Sequence, residues 1–248
     1  MQAFDSLSRD IQQYIYDKGW PSLKNIQSAA IKQVANTDHN LILSAPTASG
    51  KTEAAFIPAL NSIEDWETGL KVLYVSPLKA LINDQFQRIS ELSEYLDIPI
   101  TRWHGEVSQT QKRKVVNQPK GILLITPESI EGMLVNRPGE AEHLFKGVEW
   151  IIIDELHSFL GTERGIHLQS LLQRISRFMQ APRFIAMSAT LNKKDFGYAK
   201  AFFGSPRHTD ILVDRDKNDL FITIDYTSGE AGPFVARESL EAIYRYSK

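Results

Sequence analysis

The chain has 248 residues, enough for one large domain or for one domain and the start of another. Its 42% hydrophobic and 23% charged content is that of an ordinary globular protein, and a formal net charge of −2 excludes bulk electrostatic attraction to nucleic acid, so that any such partner needs a local basic surface. The absence of cysteine excludes disulfides and thiolate metal sites, and makes a reducing cytoplasm the expected compartment. No apolar run approaches the ~18 residues of a membrane span, and the polar start MQAFDSLSRD has no signal-peptide core.

In chain order, residues 1–36 read as an N-terminal helical segment. Short apolar runs follow, at Asn40–Leu43, Lys71–Val75, Ile98–Thr101, Ile122–Ile125, Trp150–Ile153 and Phe184–Met187. Near-continuous aliphatic runs of this length predict strands buried on both faces. Between them the pattern turns helical. From Leu78 to Leu96, the residues Leu78, Ile82, Phe86, Ile89, Leu92 and Leu96 recur at helical spacing. Strand alternating with helix predicts an α/β fold, a mostly parallel central sheet with helices on both faces. The chain softens near Gly204-Ser205-Pro206, a further strand is expected at Leu220–Tyr226, and residues 229–248 read as linker composition followed by a short helix, Phe234–Tyr246.

Each apolar run ends in small, polar or charged residues, so these clusters collect along the carboxyl edge of the sheet, where open α/β folds bind ligands. The run at Asn40–Leu43 leads into Ala45-Pro46-Thr47-Ala48-Ser49-Gly50-Lys51-Thr52. A glycine-containing turn at Thr47, Ala48, Ser49 and Gly50 aims backbone N–H groups at phosphate oxygens, and the helix opening at Lys51, Thr52 and Glu53 adds its positive end. Lys51 brings charge to the β/γ-phosphates, and the Thr52 hydroxyl can ligate Mg²⁺. Position 45 is Ala where the usual pattern has Gly. Asp154-Glu155-Leu156-His157 ends another run; Asp154 can hold Mg²⁺ through water while Glu155 polarises the attacking water. Asp154, Glu155, Lys51 and Thr52 together predict a Mg-nucleoside-triphosphate site.

With these residues on the page, the chain resembles the first RecA-like domain of a superfamily-two DExH/DEAD-type helicase, with 37–228 as that ATP-binding domain. The loop matches motif I, including Ala45; Asp154–His157 matches motif II; Ser188-Ala189-Thr190 matches motif III, which couples nucleotide state to nucleic-acid grip. Ser76-Pro77-Leu78-Lys79-Ala80-Leu81 resembles motif Ia and Thr126-Pro127-Glu128-Ser129 motif Ib. Trp103-His104-Gly105 and Arg164-Gly165-Ile166-His167-Leu168 resemble the Lhr-type and Ski-like large helicases. Gly19-Trp20-Pro21 with Asn25-Ile26-Gln27 resembles the element whose Gln reads adenine. The resemblance implies ATP and Mg²⁺ as cofactors and Gln27 as base reader. It implies coupling through His157, Ser188, Ala189 and Thr190, with His157 hydrogen-bonded toward Ser188 or Thr190. Single-stranded DNA or RNA would pass Pro77, Leu78, Lys79, His104, Gly105, Thr126, Pro127, Glu128 and Ser129.

Such helicases close their ATP site with a second RecA-like domain, expected here in cis or from a partner chain, since the residues after Tyr226 are too few to form one. Very weak hydrolysis by 1–248 alone is the corresponding expectation. A non-catalytic nucleotide-fold binding module is the alternative, disfavoured by intact Lys51 and Glu155. Zinc is not expected, because His104 and His157 lack paired ligand spacing. Lys112-Arg113-Lys114 reads as a solvated helix face, and Trp103 as packed on the sheet.

Overall fold

A computed structural model describes residues 2–189 and 191–214. Strands β1 (Asn40–Ser44), β2 (Gly69–Val75), β3 (Ile100–Trp103), β4 (Lys120–Ile125), β5 (Trp150–Ile153), β6 (Arg183–Ser188) and β7 (Thr209–Val213) form one sheet in the order β3-β4-β2-β5-β6-β1-β7. Every pairing is parallel. The connections carry α1 (Arg9–Asp17), α2 (Asn25–Asn36), α3 (Lys51–Asn61), α4 (Lys79–Tyr95), α5 (Gln109–Asn117), α6 (Pro127–Asn136), α7 (Pro138–Phe145), α8 (Glu163–Ser176) and α9 (Phe196–Ala201), the first two preceding β1.

Alternation along the strands builds two cores. Leu41, Leu43, Tyr74, Ile122, Leu124, Ile152 and Ile185 face one side with α1 to α4. Ile42, Leu73, Val75, Leu123, Ile125, Ile151 and Ile153 face the other with α6 to α8. At roughly 1.5–3 kcal/mol per fully buried aliphatic side chain, the two faces make the sheet the rigid base of the domain. Ile11, Tyr14, Ile26 and Ile31 join the first core, so the N-terminal helices pack on the same sheet as β1.

The expected strands fall close to their apolar runs, with two differences. The run at Ile98–Thr101 becomes β3 only from Ile100. Asp97 is left-handed (φ 53°), Ile98 N–H closes a turn onto Ser93 O, and Pro99 has no N–H to give a ladder. The segment after Gly204 contains β7 (Thr209–Val213), whose Thr-Asp start and half-buried side chains keep it from standing out as an apolar run. The readings at Leu220–Tyr226, 229–248 and Phe234–Tyr246 lie outside the described residues, as does Thr190. No helix among the described residues is long and apolar enough to cross a membrane.

Candidate nucleotide site and nucleic-acid face

The loop from Ala45 to Gly50 joins fully buried β1 to α3 and bends through two left-handed residues, Ala48 (φ 61°) and Gly50 (φ 85°). Gly50's φ of 85° favours glycine, and a Cβ there would also stand 2.6 Å from Gln27 Nε2, displacing that side chain. Lys51 Nζ donates to the loop's own carbonyls, Ala45 O and Pro46 O, both at 2.6 Å. Burial pushes its ammonium pKa down, against the charges of Glu155 and Asp154. Ser49 Oγ is buried without a partner, an orphan donor inside the turn. Thr52 Oγ1 donates to Gln85 Oε1 of α4 at 3.1 Å, and Glu53 pairs with Arg88 at 3.0 Å.

Asp154 follows β5 and is 6% exposed. Burial raises its carboxyl pKa; the Tyr74 hydroxyl, which donates to Oδ2, and the Glu155 N–H, which donates to Oδ1 at 2.9 Å, oppose that rise. Glu155 is left-handed (φ 49°), an uncommon conformation for a residue other than glycine. Strand β6 lies between β5 and β1, with Ser188 paired to Ser44 in register. The Ser44 hydroxyl donates to Ala189 O (3.3 Å) and accepts from Leu191 N–H (2.9 Å), tying the motif III turn to the strand that carries the loop. His157 Nδ1 lies 3.2 Å from Glu155 Oε2 and accepts from Ala189 N–H at 3.3 Å. Of the bond expected toward Ser188 or Thr190, the described residues show a contact to the Ala189 amide between them; the Ser188 hydroxyl is buried and unpartnered, and Thr190 lies outside the described residues.

The donor set fits Mg-ATP chemically. A turn with two left-handed residues cradles an anion, the Thr52 hydroxyl and Asp154 carboxylate are the oxygen donors a hard cation takes, and Ser49 holds an unused donor in the cradle. Gln27 lies against this loop. It is 3% exposed, its Oε1 accepts the Lys24 N–H at 2.9 Å, and Lys24 Nζ reaches Ala48 O at 2.9 Å.

The other expected cluster lies on the far half of the same edge, after β2, β3 and β4. Thr126 caps α6 by accepting the Ser129 N–H, with Pro127 in the first turn. Arg164 of α8 joins the two motifs: it donates to Glu128 Oε1 (2.6 Å) and to Pro77 O (2.5 Å). Leu78 is 55% exposed. Lys79 is paired with Glu106 at 3.0 Å. His104 is buried with both ring nitrogens unpartnered, and burial lowers its pKa, while Gly105 stands exposed beside it. Trp103 is buried in the second core, as its packing reading expects. Arg164, Tyr74, Gln85, Lys24 and Ser44 were not predicted as site residues. Only Arg164 had a sequence signal, its place in the segment after motif II.

Comparison with known proteins agrees with this geometry. The DEAD/DEAH box helicase family matches residues 24–196. The ATP-dependent helicase Lhr-Core of Methanocaldococcus jannaschii is 29% identical over 209 residues, covering 77% of this chain and 24% of that protein. Lhr-Core protein 2 of Thermococcus barophilus is 34% identical over 226 residues, covering 77% and 26%. The chain thus spans about a quarter of the length of these relatives. The structure of Mycobacterium smegmatis helicase Lhr bound to ssDNA and AMP-PNP superimposes with a TM-score of 0.75 at 27% identity, covering 86% of this chain and 28% of that one. The fold, the motif order and these matches together make this chain a member of the DEAD/DEAH box helicase family, a first RecA-like domain of superfamily two with Lhr-type ATP-dependent helicases among its relatives.

Proposed function

We propose that this domain binds Mg-ATP at the loop and uses its hydrolysis to drive movement on single-stranded DNA or RNA. The observation that carries the reading is the placement of Lys51 and Thr52 after β1 and of Asp154 and Glu155 after β5, with β6, which leads into the motif III turn, as the strand between them. Lys51 would exchange its two carbonyl partners for phosphate oxygens, and Gln27 would read the base from the flank of the loop. Thr52 and Asp154 would hold Mg²⁺, which neutralises phosphate charge when bound. Glu155 would accept a proton from the attacking water. Pro77, Leu78, Lys79, Gly105 and the head of α6 would meet the nucleic-acid backbone on the adjacent half of the edge.

The test is nucleotide affinity and single-strand-stimulated hydrolysis for wild type, Lys51→Ala and Glu155→Gln. Lys51→Ala is expected to weaken nucleotide binding at least about tenfold. Glu155→Gln should retain binding and lose hydrolysis by about 10²-fold or more. Unchanged binding and hydrolysis in both variants would defeat the enzyme reading and favour a non-catalytic binding module.

A further inference from the structure

At the opposite edge of the sheet, three side chains distant in sequence meet at the starts of β1 and β7. His39 Nδ1 lies 2.7 Å from Asp210 Oδ2, and His208 Nε2 lies 3.2 Å from Asp210 Oδ1. One ligand atom from each falls within 4.8 Å of the others, and the two imidazole rings stand 4.8 Å apart. The scaffold beneath them is fixed. Asn40 pairs with Thr209 and Leu41 with Asp210, while the Asn40 N–H donates to His208 O at 2.8 Å, locking the two histidines on adjacent strands. Behind the carboxylate, Gln33 Nε2 donates to Asp210 Oδ2 at 2.6 Å, the kind of supporting bond that orients a metal-binding carboxylate. His39 O is held by Arg183 at 3.0 Å.

We propose that His39, His208 and Asp210 bind a divalent transition-metal ion, zinc above all, as a three-ligand site that staples edge strand β7 to β1. Two imidazole nitrogens converge on one carboxylate, the donor set of a divalent transition-metal ion. As neutral imidazoles, both nitrogens are ligands. Zinc bonds of ~2.0–2.2 Å in a tetrahedron place ligand atoms roughly 3.4 Å apart, so small side-chain rotations convert the present spacing into a first coordination shell. Side-chain exposures of 33%, 58% and 26% for His39, His208 and Asp210 leave room for entry and for water in the remaining position. The site stands a strand's length, roughly 17 Å, from the nucleotide loop and is separate from it. Ligands at positions 39, 208 and 210 have no short spacing, so no motif scan of the sequence reveals them.

The test is zinc binding to residues 1–248 without nucleotide or Mg²⁺, by competition with a chromophoric chelator, together with melting temperature with and without zinc. Wild type, His39→Gln, His208→Gln and Asp210→Asn are compared, with the exposed and remote His143→Gln as control. The expected result is one zinc per wild-type chain, weakened at least about tenfold in each of the three variants and unchanged in the control. Zinc at a hundredfold excess over Kd should raise the wild-type melting temperature by about 5 °C or more. Zinc affinity unaltered in all three variants, or no zinc-dependent rise in the wild-type melting temperature, overturns the site.

Discussion

Asp154 is a carboxylate taken out of water at 6% exposure, and burial raises its pKa in the folded state. A raised folded pKa means that stability falls as pH climbs from below the ordinary carboxylate value through the folded one. The nucleotide-free domain is therefore expected to gain stability from Asp154→Asn at neutral pH, with a rise in melting temperature of about 2–4 °C if the gain is near 1 kcal/mol. The gain should vanish below about pH 4, where the native carboxyl is protonated in both states. Melting curves of both proteins from pH 3.5 to 8 check it; a wild type more stable than the variant at pH 7.5 would contradict it. Mg-dependent hydrolysis should be lost in the same variant. His157 shows a related economy at one atom. Its Nδ1 lies 3.2 Å from Glu155 Oε2 and accepts from the Ala189 amide, so one atom touches both the motif II carboxylate and the motif III turn. The residues proposed for the nucleotide site, Lys51, Thr52, Asp154 and Glu155, stood out in the sequence because a loop and a strand end are local features. Tyr74 and Ser44 did not, because each looks like another core position until the neighbouring strand is in place.

Among the elements, α8 links motifs that are far apart in the chain. Arg164 leaves its first turn to reach both Pro77 and Glu128, so the heads of α4 and α6 are held at one spacing. The next residue is Gly165 because a Cβ there would stand 1.8 Å from Phe159 O. Arg164→Ala is expected to lower stability by only about 1 kcal/mol, since the guanidinium is partly exposed. Its effect on single-strand affinity should be larger, about tenfold, because misplaced contact groups lose productive geometry. Fluorescence anisotropy with labelled oligonucleotide, beside a nucleotide titration, separates the two effects. Equal affinity for oligonucleotide in variant and wild type would show that Arg164 only braces the fold. The bounds of α4 were legible from its apolar spacing, Leu78 to Leu96 against Lys79–Tyr95. Strand β7 was not, because a half-exposed edge strand has no continuous apolar run.

For the whole molecule, strand order divides labour along one edge. β5, β6 and β1 lead into the residues proposed to bind nucleotide, and β3, β4 and β2 into those proposed to meet nucleic acid. On the proposed function, these residues would form one face of a nucleotide site of the kind that a second RecA-like domain closes. Purified 1–248 is therefore expected to hydrolyse ATP very slowly, by about 10³–10⁵-fold relative to a closed two-domain motor, and to separate no strands. Robust single-strand-stimulated turnover by 1–248 alone would overturn that expectation. By itself, the sequence determined the α/β class, the phosphate loop, the carboxylate pair and the order of the motifs, because periodicity and strand-end chemistry are written in neighbouring residues. Tertiary structure decided that β6 lies between β1 and β5, whose ends carry the proposed nucleotide residues, that Arg164 bridges Pro77 and Glu128, and that His39, His208 and Asp210 meet. The physical reason is that parallel strands join through helical crossovers, so which strands become neighbours depends on how both faces of the sheet pack, not on any local run of residues.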